Sequence, residues 1–255
     1  MRQRGRGSND CILGGWMLRL RQIAMVAPEL GPVEAEVGRI AVADICYRDP
    51  GVGKYGLENA LWALGGTFLE ALAPTHPDTT AGRYMARRGG ATGYMVILDT
   101  DNLAPVRARL AAQRVRIVED LSVGDAHLHA TALHLHPRET GGCLLSIDHH
   151  GPDAALLGSY MWAGSNWHRH CRPDLAISGA VMACDDPAAT ATRWGAILDR
   201  APARQDAGWR IVLDNGALDF VPVNDARGEG LNAIRLAGLH APARSCGLDF
   251  LPETP

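Results

Sequence analysis

The chain has 255 residues, of which 47% are hydrophobic and 21% are charged, and its formal net charge is −3 at pH 7. A chain of this length buries a sizeable core as one large domain or two small ones. The small negative charge offers no general attraction to nucleic acid or to an anionic membrane surface, so neither partner is expected. No apolar run approaches the roughly 20 residues of a membrane-spanning helix. Six scattered cysteines without a CxxC pair indicate the reduced thiols of a cytoplasmic protein.

A strand followed by a helix is predicted three times along the chain. The strands begin RQIAMVAPEL (21–30), GYMVILDTDNLAPVRARL (93–110) and AISGAVMACDDPAATATRWGAIL (176–198). In the third stretch, Asp186 suits the N-cap of the helix and Pro187 its first turn. Each strand is apolar and each helix carries one apolar stripe, so both elements are expected to bury one face.

Each predicted helix is followed by a hairpin. The three hairpins are LWALGGTFLEAL (61–72), HLHPRETGGCLLSI (134–147) and RIVLDNGALDFVPV (210–223). The last turns on Asn215 and Gly216, a pair that favours a tight two-residue turn. Together with the preceding strands and helices they predict three βαβββ-like units at about residues 20–75, 92–150 and 175–237.

The predicted fold class is α+β, with tandem βαβββ modules that form a paired-sheet cleft and a third module beside them. A single βαβββ unit has one apolar sheet face that it cannot bury alone, so pairing is physically required. The third module has no predicted partner and must pack on the first pair or on another subunit, which favours a homodimer. The predicted organisation is a disordered tail (1–16), a two-module domain (17–150), a linker (158–174), a third half-module (175–238) and a second tail (239–255).

Three stretches resemble the vicinal oxygen chelate superfamily, which includes glyoxalase I and methylmalonyl-CoA epimerase. They are GLENALWALGGTFLEALAP (56–74), TTAGRYMARRGGATGYMVI (79–97) and LHPRETGGCLLSID (135–148), and they are most similar to the epimerase. The resemblance implies two modules that share a cleft. It also implies a divalent cation at the floor of the cleft that stabilises an enolate or oxyanion while a proton or another group moves.

The resemblance places the four metal-binding positions at Gln22, Glu70, Tyr94 and Ser146. Only Glu70 has the side chain that the family uses there, and a carboxylate on an otherwise apolar strand is costly unless it is paired or bound. Gln22 and Ser146 are weak ligands, and a neutral phenol such as Tyr94 is a poor one. Gln22 and Ser146 are alternatively hydrogen-bonding groups for a substrate.

A relocated metal site is a second interpretation. His134 and His136 are two residues apart on a predicted strand and would share a face. With Glu70 they would form a His-His-carboxylate set for Zn, Ni, Co, Mn or Fe. A register slip of one residue would turn both histidines outward, where they would be surface residues or brace the turn. Either a divalent metal or no cofactor is therefore consistent with the sequence.

Lys54 and Arg83 are the cationic candidates for the cleft. Lys54, the only lysine of the chain, lies near a position that carries a base in the resembling epimerase. A lysine in a closed cleft can have its pKa lowered and act as a base, whereas a lysine in a glycine-rich loop is commonly solvated. Arg83 would bind an anionic substrate at the entrance or lie on a solvated helix face.

Two functions are consistent with these residues. The first is a glyoxalase- or epimerase-like lyase or isomerase that acts on a small carbonyl or carboxylate metabolite. In it, Glu70 is the metal ligand or general base, assisted by Tyr94, His136 and Lys54. The second is a metal-free binding protein of the bleomycin-resistance type, whose apolar cleft with a few neutral polar groups holds a small molecule.

Overall fold

In a computed structural model that describes residues 16–125, 127–152 and 158–253, the chain forms two seven-stranded mixed sheets. The predicted tail at residues 1–16 lies outside the described residues, except for Trp16, which packs against the core. In the described part no helix is long and apolar enough to cross a membrane.

The first sheet contains the two expected βαβββ modules. The first module is β1 (Leu18–Val26), α1 (Leu30–Ala41), β2 (Leu57–Leu64) and β3 (Thr67–Pro74). Helix α2 (Thr80–Arg87) connects it to β4 (Thr92–Thr100), α3 (Leu103–Ala112), β5 (Ile117–Gly124), β6 (His129–Leu135), α4 (Pro137–Thr140) and β7 (Leu144–Gly151). The strand order is β2-β3-β1-β4-β7-β6-β5, and the modules join where β1 runs antiparallel to β4. The α+β fold with paired modules is confirmed.

The second sheet contains the third module and a fourth. The third is β8 (Ala176–Cys184), α5 (Pro187–Leu198), β9 (Ala203–Gln205), β10 (Gly208–Leu213) and β11 (Gly216–Pro222). The fourth lacks a helix and consists of β12 (Gly230–Ala237), β13 (Ala243–Ser245) and β14 (Leu248–Pro252). The order is β13-β14-β12-β8-β11-β10-β9, and β8 runs antiparallel to β12 as β1 does to β4.

The prediction of a tail after residue 238 is therefore wrong for residues 243–252. These residues form two strands, because Leu248 and Phe250, on either side of Asp249, enter the core, while β14 pairs in parallel with β12. The third module thus has its partner within the same chain. A homodimer stays a prediction, but an unpaired module no longer supports it.

The start of helix α5 follows the sequence prediction. The Asp186 side chain accepts a hydrogen bond from the backbone N–H of Ala189, and Pro187 occupies the first turn. Ala191 and Trp194 are fully buried, as the apolar stripe indicated. Helix α3 is likewise capped by a side chain, that of Asn102, whereas α1 begins without a side-chain cap.

One apolar core joins a face of each sheet to α1, α3 and α5. Gly93 marks a close approach of the two sheets, because a Cβ atom at this position would lie 2.4 Å from the backbone oxygen of Leu231. In the first sheet, Glu70 and Ser146 are each flanked by residues of this core, namely Leu69, Ala71, Leu145 and Ile147. Since successive side chains of a strand alternate, Glu70 and Ser146 lie on the opposite face, which we call the cleft face.

Replacing Phe250 by alanine tests the fourth module. Phe250 is fully buried in the core, so Phe250→Ala is expected to lower the free energy of unfolding by about 3–5 kcal/mol. Chemical denaturation measures this loss. Leu251→Ala, on the half-buried opposite face of β14, is the control and should cost clearly less. Equal and small effects would mean that residues 243–252 add nothing to the core.

Candidate functional site

The centre of the cleft face is the buried carboxylate of Glu70 on β3. Glu70 is 7% exposed, and each of its carboxylate oxygens accepts a hydrogen bond. The Asn59 side chain donates from Nδ2 to Oε1 at 2.6 Å, and the Gln22 side chain donates from Nε2 to Oε2 at 2.8 Å. Glu70 is therefore held between amides from the two strands that flank β3.

Both amides have a defined orientation. The backbone N–H of Asp49 donates to Asn59 Oδ1 at 2.8 Å, and the hydroxyl of Tyr160 donates to Gln22 Oε1 at 2.7 Å. Each amide oxygen thus has its own donor, which leaves each NH₂ group directed at Glu70. The backbone before β2 and a tyrosine from beyond β7 together set the environment of one carboxylate.

Burial, followed by the nearby Asp49 carboxylate, raises the pKa of Glu70 from 4.5 to about 7. The hydrogen bonds from Asn59 and Gln22 oppose this effect because they stabilise the charged form. A carboxyl group with a pKa near neutrality exchanges its proton readily under physiological conditions, which is the property required of a general base.

Tyr94 lies on the cleft face beside Glu70. Its ring packs edge-on against Tyr84, with ring centroids 5.3 Å apart, and its residue is 9% exposed. Burial, followed by the negative charges of Glu70 and Tyr55, raises the pKa of Tyr94 to about 12, so its phenol stays protonated. Within the described residues no hydrogen bond engages its hydroxyl, which can therefore donate to a bound molecule.

The predicted linker at 158–174 is a packed part of the cleft. Tyr160 stacks on Phe68 of β3 with ring centroids 4.1 Å apart, and Trp167 meets the same ring edge-on at 5.0 Å. The guanidinium of Arg21 lies 4.8 Å from the centre of the Tyr160 ring. We call residues 158–174 the connecting segment; its aromatic residues cover one end of the cleft face.

Asp148 is a second buried carboxylate, which the sequence analysis missed. It is 1% exposed, accepts a hydrogen bond from the Ser146 hydroxyl, and accepts another from Trp162 Nε1 at 2.8 Å. Burial raises its pKa from 3.8 to about 7, and the hydrogen bonds from Ser146 and Trp162 act in the opposite direction. An acidic residue two positions from Ser146 on an apolar strand was a signal of the same kind that identified Glu70.

Lys54 forms part of a cluster that connects the two modules. Its ammonium lies 3.1 Å from Glu119 Oε1, and the Tyr55 hydroxyl donates to the same carboxylate at 2.5 Å. His134 Nδ1 lies 3.4 Å from Glu119 Oε2. The pKa of Lys54 is raised, through its hydrogen bonds with Tyr55 and Glu119, and not lowered as a closed cleft would require. Lys54 is thus a cation at the edge of the cleft.

His136 does not share a face with His134. Strand β6 ends at Leu135, and His136 is the N-cap of α4, where its Nδ1 accepts the backbone N–H of Arg138 at 3.1 Å. The alternation of the strand stops before it reaches His136. The predicted metal set of Glu70, His134 and His136 is therefore not assembled, and His136 braces the turn.

Arg83 is also separate from the polar groups of the cleft. It lies on α2, where its guanidinium donates to the backbone oxygen of Asp78 and to the Thr80 hydroxyl. Both partners belong to the start of its own helix. This arrangement matches the solvated helix face that the sequence analysis left open for Arg83.

The four positions inherited from the superfamily do not fit a divalent cation. Gln22 offers an amide oxygen that already accepts from Tyr160, and Ser146 donates to a carboxylate on its own strand. Tyr94 stays a neutral phenol, which leaves Glu70 as the single strong donor. Across residues 16–125, 127–152 and 158–253, no group of three or more His, Cys, Asp or Glu side chains is placed to hold a metal ion.

Apolar side chains pack around Glu70 on the cleft face, and a cavity that neither Glu70 nor Tyr94 lines lies beside Asn59. Leu57, Leu72, Tyr94 and Ile97 belong to one apolar cluster on the cleft face. A cavity of ≈ 360 Å³ adjoins Asn59 and the loop that precedes β2. Arg48, Asp49, Glu58 and Asn59 are among the residues that line this cavity, so a molecule bound there would meet mostly polar side chains.

The glyoxalase-like domain family matches residues 49–198, more than half of the chain. The chain therefore belongs to this family, and its resemblance to the vicinal oxygen chelate superfamily is confirmed. The matched region runs from the loop before β2 to the end of α5, so it includes the connecting segment. No curated protein matches the chain.

Solved structures are similar to the chain at low sequence identity. A hypothetical protein from Staphylococcus aureus is 12% identical, with 93% of this chain and 99% of that chain covered and a TM-score of 0.66. Methylmalonyl-CoA epimerase from Mycobacterium tuberculosis is 20% identical over 52% of this chain and 89% of its own, with a TM-score of 0.44. The epimerase (Q60A) of Streptomyces coelicolor is 17% identical over 55% of this chain and 100% of its own, with a TM-score of 0.45.

The raised pKa of Glu70 makes stability depend on pH. The carboxyl group ionises near pH 4.5 in the unfolded chain but near 7 in the folded protein, so the unfolded state releases its proton first as the pH rises. The stability that Glu70 contributes is complete below pH 4.5 and is lost as the pH rises to about 7. The free energy of unfolding therefore falls by about 3 kcal/mol over this range. Chemical denaturation at several pH values should show that the free energy of unfolding declines less steeply with rising pH for Glu70→Gln than for the wild type. Because both proteins keep Asp148, identical slopes would contradict burial of an ionisable Glu70.

Chelation tests the mismatch between the cleft and a metal. Protein purified without a His-tag and then treated with EDTA is expected to keep its melting temperature, because the four inherited metal positions supply one strong donor instead of three or four. Elemental analysis and thermal unfolding measure this. A stoichiometric transition metal that Glu70→Ala releases would contradict the prediction, whereas a surface-bound ion would survive that substitution.

Proposed function

We propose that this chain is a lyase or isomerase that acts without a metal on a small carbonyl or carboxylate metabolite, with Glu70 as its general base. The observation that carries the proposal is a carboxyl group with a pKa of about 7 on the cleft face, beside a buried phenol that is free to donate. A carboxylate kept in an apolar cleft is costly, and proton transfer is a use that its raised pKa suits.

The proposed reaction begins with removal of a proton from a carbon next to the substrate carbonyl. The C–H electron pair forms the enolate double bond, the carbonyl π electrons move to its oxygen, and Glu70 takes the proton. Tyr94 donates a hydrogen bond to the negative oxygen and so stabilises the charge that develops. Return of the proton to the carbon completes an isomerisation, and departure of a neighbouring group completes an elimination.

Two cations lie at the edge of the cleft, and each forms an ion pair with a glutamate, Lys54 with Glu119 and Arg48 with Glu34. The ammonium of Lys54 is held at the cleft edge by Glu119 and Tyr55, and Arg48 lines the cavity beside Asn59. Because the pKa of Lys54 is raised, we assign this residue to attraction of a substrate carboxylate and not to proton removal.

A metal-free binding protein is the second candidate. The pairing of both Glu70 oxygens with amide N–H groups and the neutral polar groups around them favour this alternative, since a satisfied carboxylate resembles a fixed acceptor. A binding protein needs the carboxylate only for recognition. The two functions therefore differ in whether proton transfer to Glu70 occurs.

Deuterium exchange distinguishes them. The protein is incubated in D₂O with a panel of small 2-substituted carbonyl and carboxylate compounds, and deuterium at the α carbon is measured by mass spectrometry. For a compound that exchanges, Glu70→Gln is expected to reduce the rate by about 10²–10⁴-fold, and Tyr94→Phe by about 10²-fold. The rate should rise with pH through the pKa of Glu70, about 7, because the base must be ionised.

Glu29→Gln is the matched control, because Glu29 is an exposed glutamate at the start of α1. It should exchange at the wild-type rate. A compound that stabilises the protein against heat without exchanging, and that still binds to Glu70→Gln, would favour the binding protein over the enzyme.

A further inference from the structure

The connecting segment occupies the cleft in a fixed position. Its end is held by backbone hydrogen bonds to β2 and to the turn after it, from Arg172 N–H to the oxygen of Ala63 at 2.9 Å and from Gly65 N–H to the oxygen of Arg172 at 2.9 Å. Ala163 and Trp167 are buried in one apolar cluster with Phe68. The segment is thus part of the folded first sheet, although it precedes the second sheet in the chain.

Tyr160 connects this segment to Glu70 through Gln22. Burial raises the pKa of Tyr160 well above its usual value, and the Asp148 carboxylate adds to the effect, so the phenol keeps its proton. The hydroxyl donates to Gln22 Oε1, and Gln22 Nε2 then donates to Glu70 Oε2. Without the Tyr160 hydroxyl, Gln22 Oε1 has no donor. The Gln22 amide is then free to turn Oε1 toward a protonated Glu70.

Two of the inherited metal positions are engaged by this segment. Tyr160 binds Gln22 directly, and Trp162 binds Asp148, which in turn holds Ser146. Tyr160 therefore contacts one inherited position directly, and Trp162 reaches the other through Asp148. These hydrogen bonds orient the neutral side chains of Gln22 and Ser146. In the superfamily, a cation would organise charged ligands at the same positions.

We infer that Tyr160 is a positioning residue for Glu70, and that it replaces the organising role of a metal by holding the Gln22 amide in the orientation that stabilises the ionised carboxylate. Its catalytic meaning rests on the proposed function, but the hydrogen-bond relay itself is measurable without a substrate. The inference assigns a functional role to a residue outside the two paired modules.

Several other groups surround Glu70 and stay constant in the test. Asp49 faces it from the loop before β2, and Tyr94 faces it from β4. Arg21 and Asp148 lie near Tyr160. Because Tyr160→Phe changes none of these charges and keeps the ring that stacks on Phe68, a change in Glu70 titration reports the lost hydroxyl.

The test is titration of Glu70 by NMR in protein labelled with ¹³C at the glutamate carboxyl carbon, with Glu70→Gln identifying the resonance. Tyr160→Phe is expected to raise the pKa of Glu70 by about one unit, the size of a lost hydrogen bond to a charged group. Gln22→Leu removes the relay, so Tyr160→Phe in that background should add nothing. An unchanged pKa in Tyr160→Phe, or an equal shift in the Gln22→Leu background, would overturn the inference.

Trp162→Phe is the matched control from the same segment. It removes the donor to Asp148 and leaves the Glu70 network intact, so it should leave the Glu70 titration unchanged. A shift of similar size in this control would mean that Tyr160→Phe acts by loosening the segment, which also overturns the inference. A shifted pKa in Tyr160→Phe without exchange of any substrate would instead reject the proposed enzyme while keeping the relay.

Discussion

The cleft of this protein depends on one interaction, the burial of the Glu70 carboxylate between two side-chain amides. Removing a carboxylate from water is costly, and the cost is tolerable only when donors replace the lost hydration. Asn59 and Gln22 supply those donors, and each is oriented by a further group, the Asp49 backbone or the Tyr160 hydroxyl. The loop before β2 and the connecting segment therefore act in the same way, since each orients one of the two amides that donate to Glu70.

The superfamily fold is retained here with a different organisation at its centre. Three of the four inherited metal positions carry neutral side chains, and two of these take part in hydrogen bonds that begin in the connecting segment. Glu70 and Asp148 both have pKa values raised to about 7 by burial. Asp148 is enclosed by Ser146 and Trp162, whereas Glu70 lies beside the available hydroxyl of Tyr94. Because the two carboxyl groups are alike in acidity, our proposal of Glu70 as the reacting group rests on its position beside the Tyr94 hydroxyl.

The second sheet contributes to the site from a distance. It begins immediately after the connecting segment, and the backbone N–H of Ile177 in β8 donates to Thr67 Oγ1 in β3 at 2.8 Å. The same region of β3 carries Phe68, on which Tyr160 stacks. The position of Tyr160 is thus determined on both sides, by its ring contacts in the cleft and by the docking of the third module. A chain that ended at residue 150 would lack the donor for Gln22.

The amino-acid sequence by itself determined the local elements and the family. Apolar alternation, the Asp186–Pro187 start of α5 and the matching stretches around Glu70 predicted the modules and a buried carboxylate, because these signals depend on neighbours a few residues away. Tertiary structure alone decided which groups meet that carboxylate. Tyr160 and Gln22 are 138 residues apart. His136 lies one position beyond the end of β6, and β14 pairs with β12 while β13 pairs with β14. Contacts of this kind depend on how sheets pack and where strands end, and no local pattern in the chain encodes them.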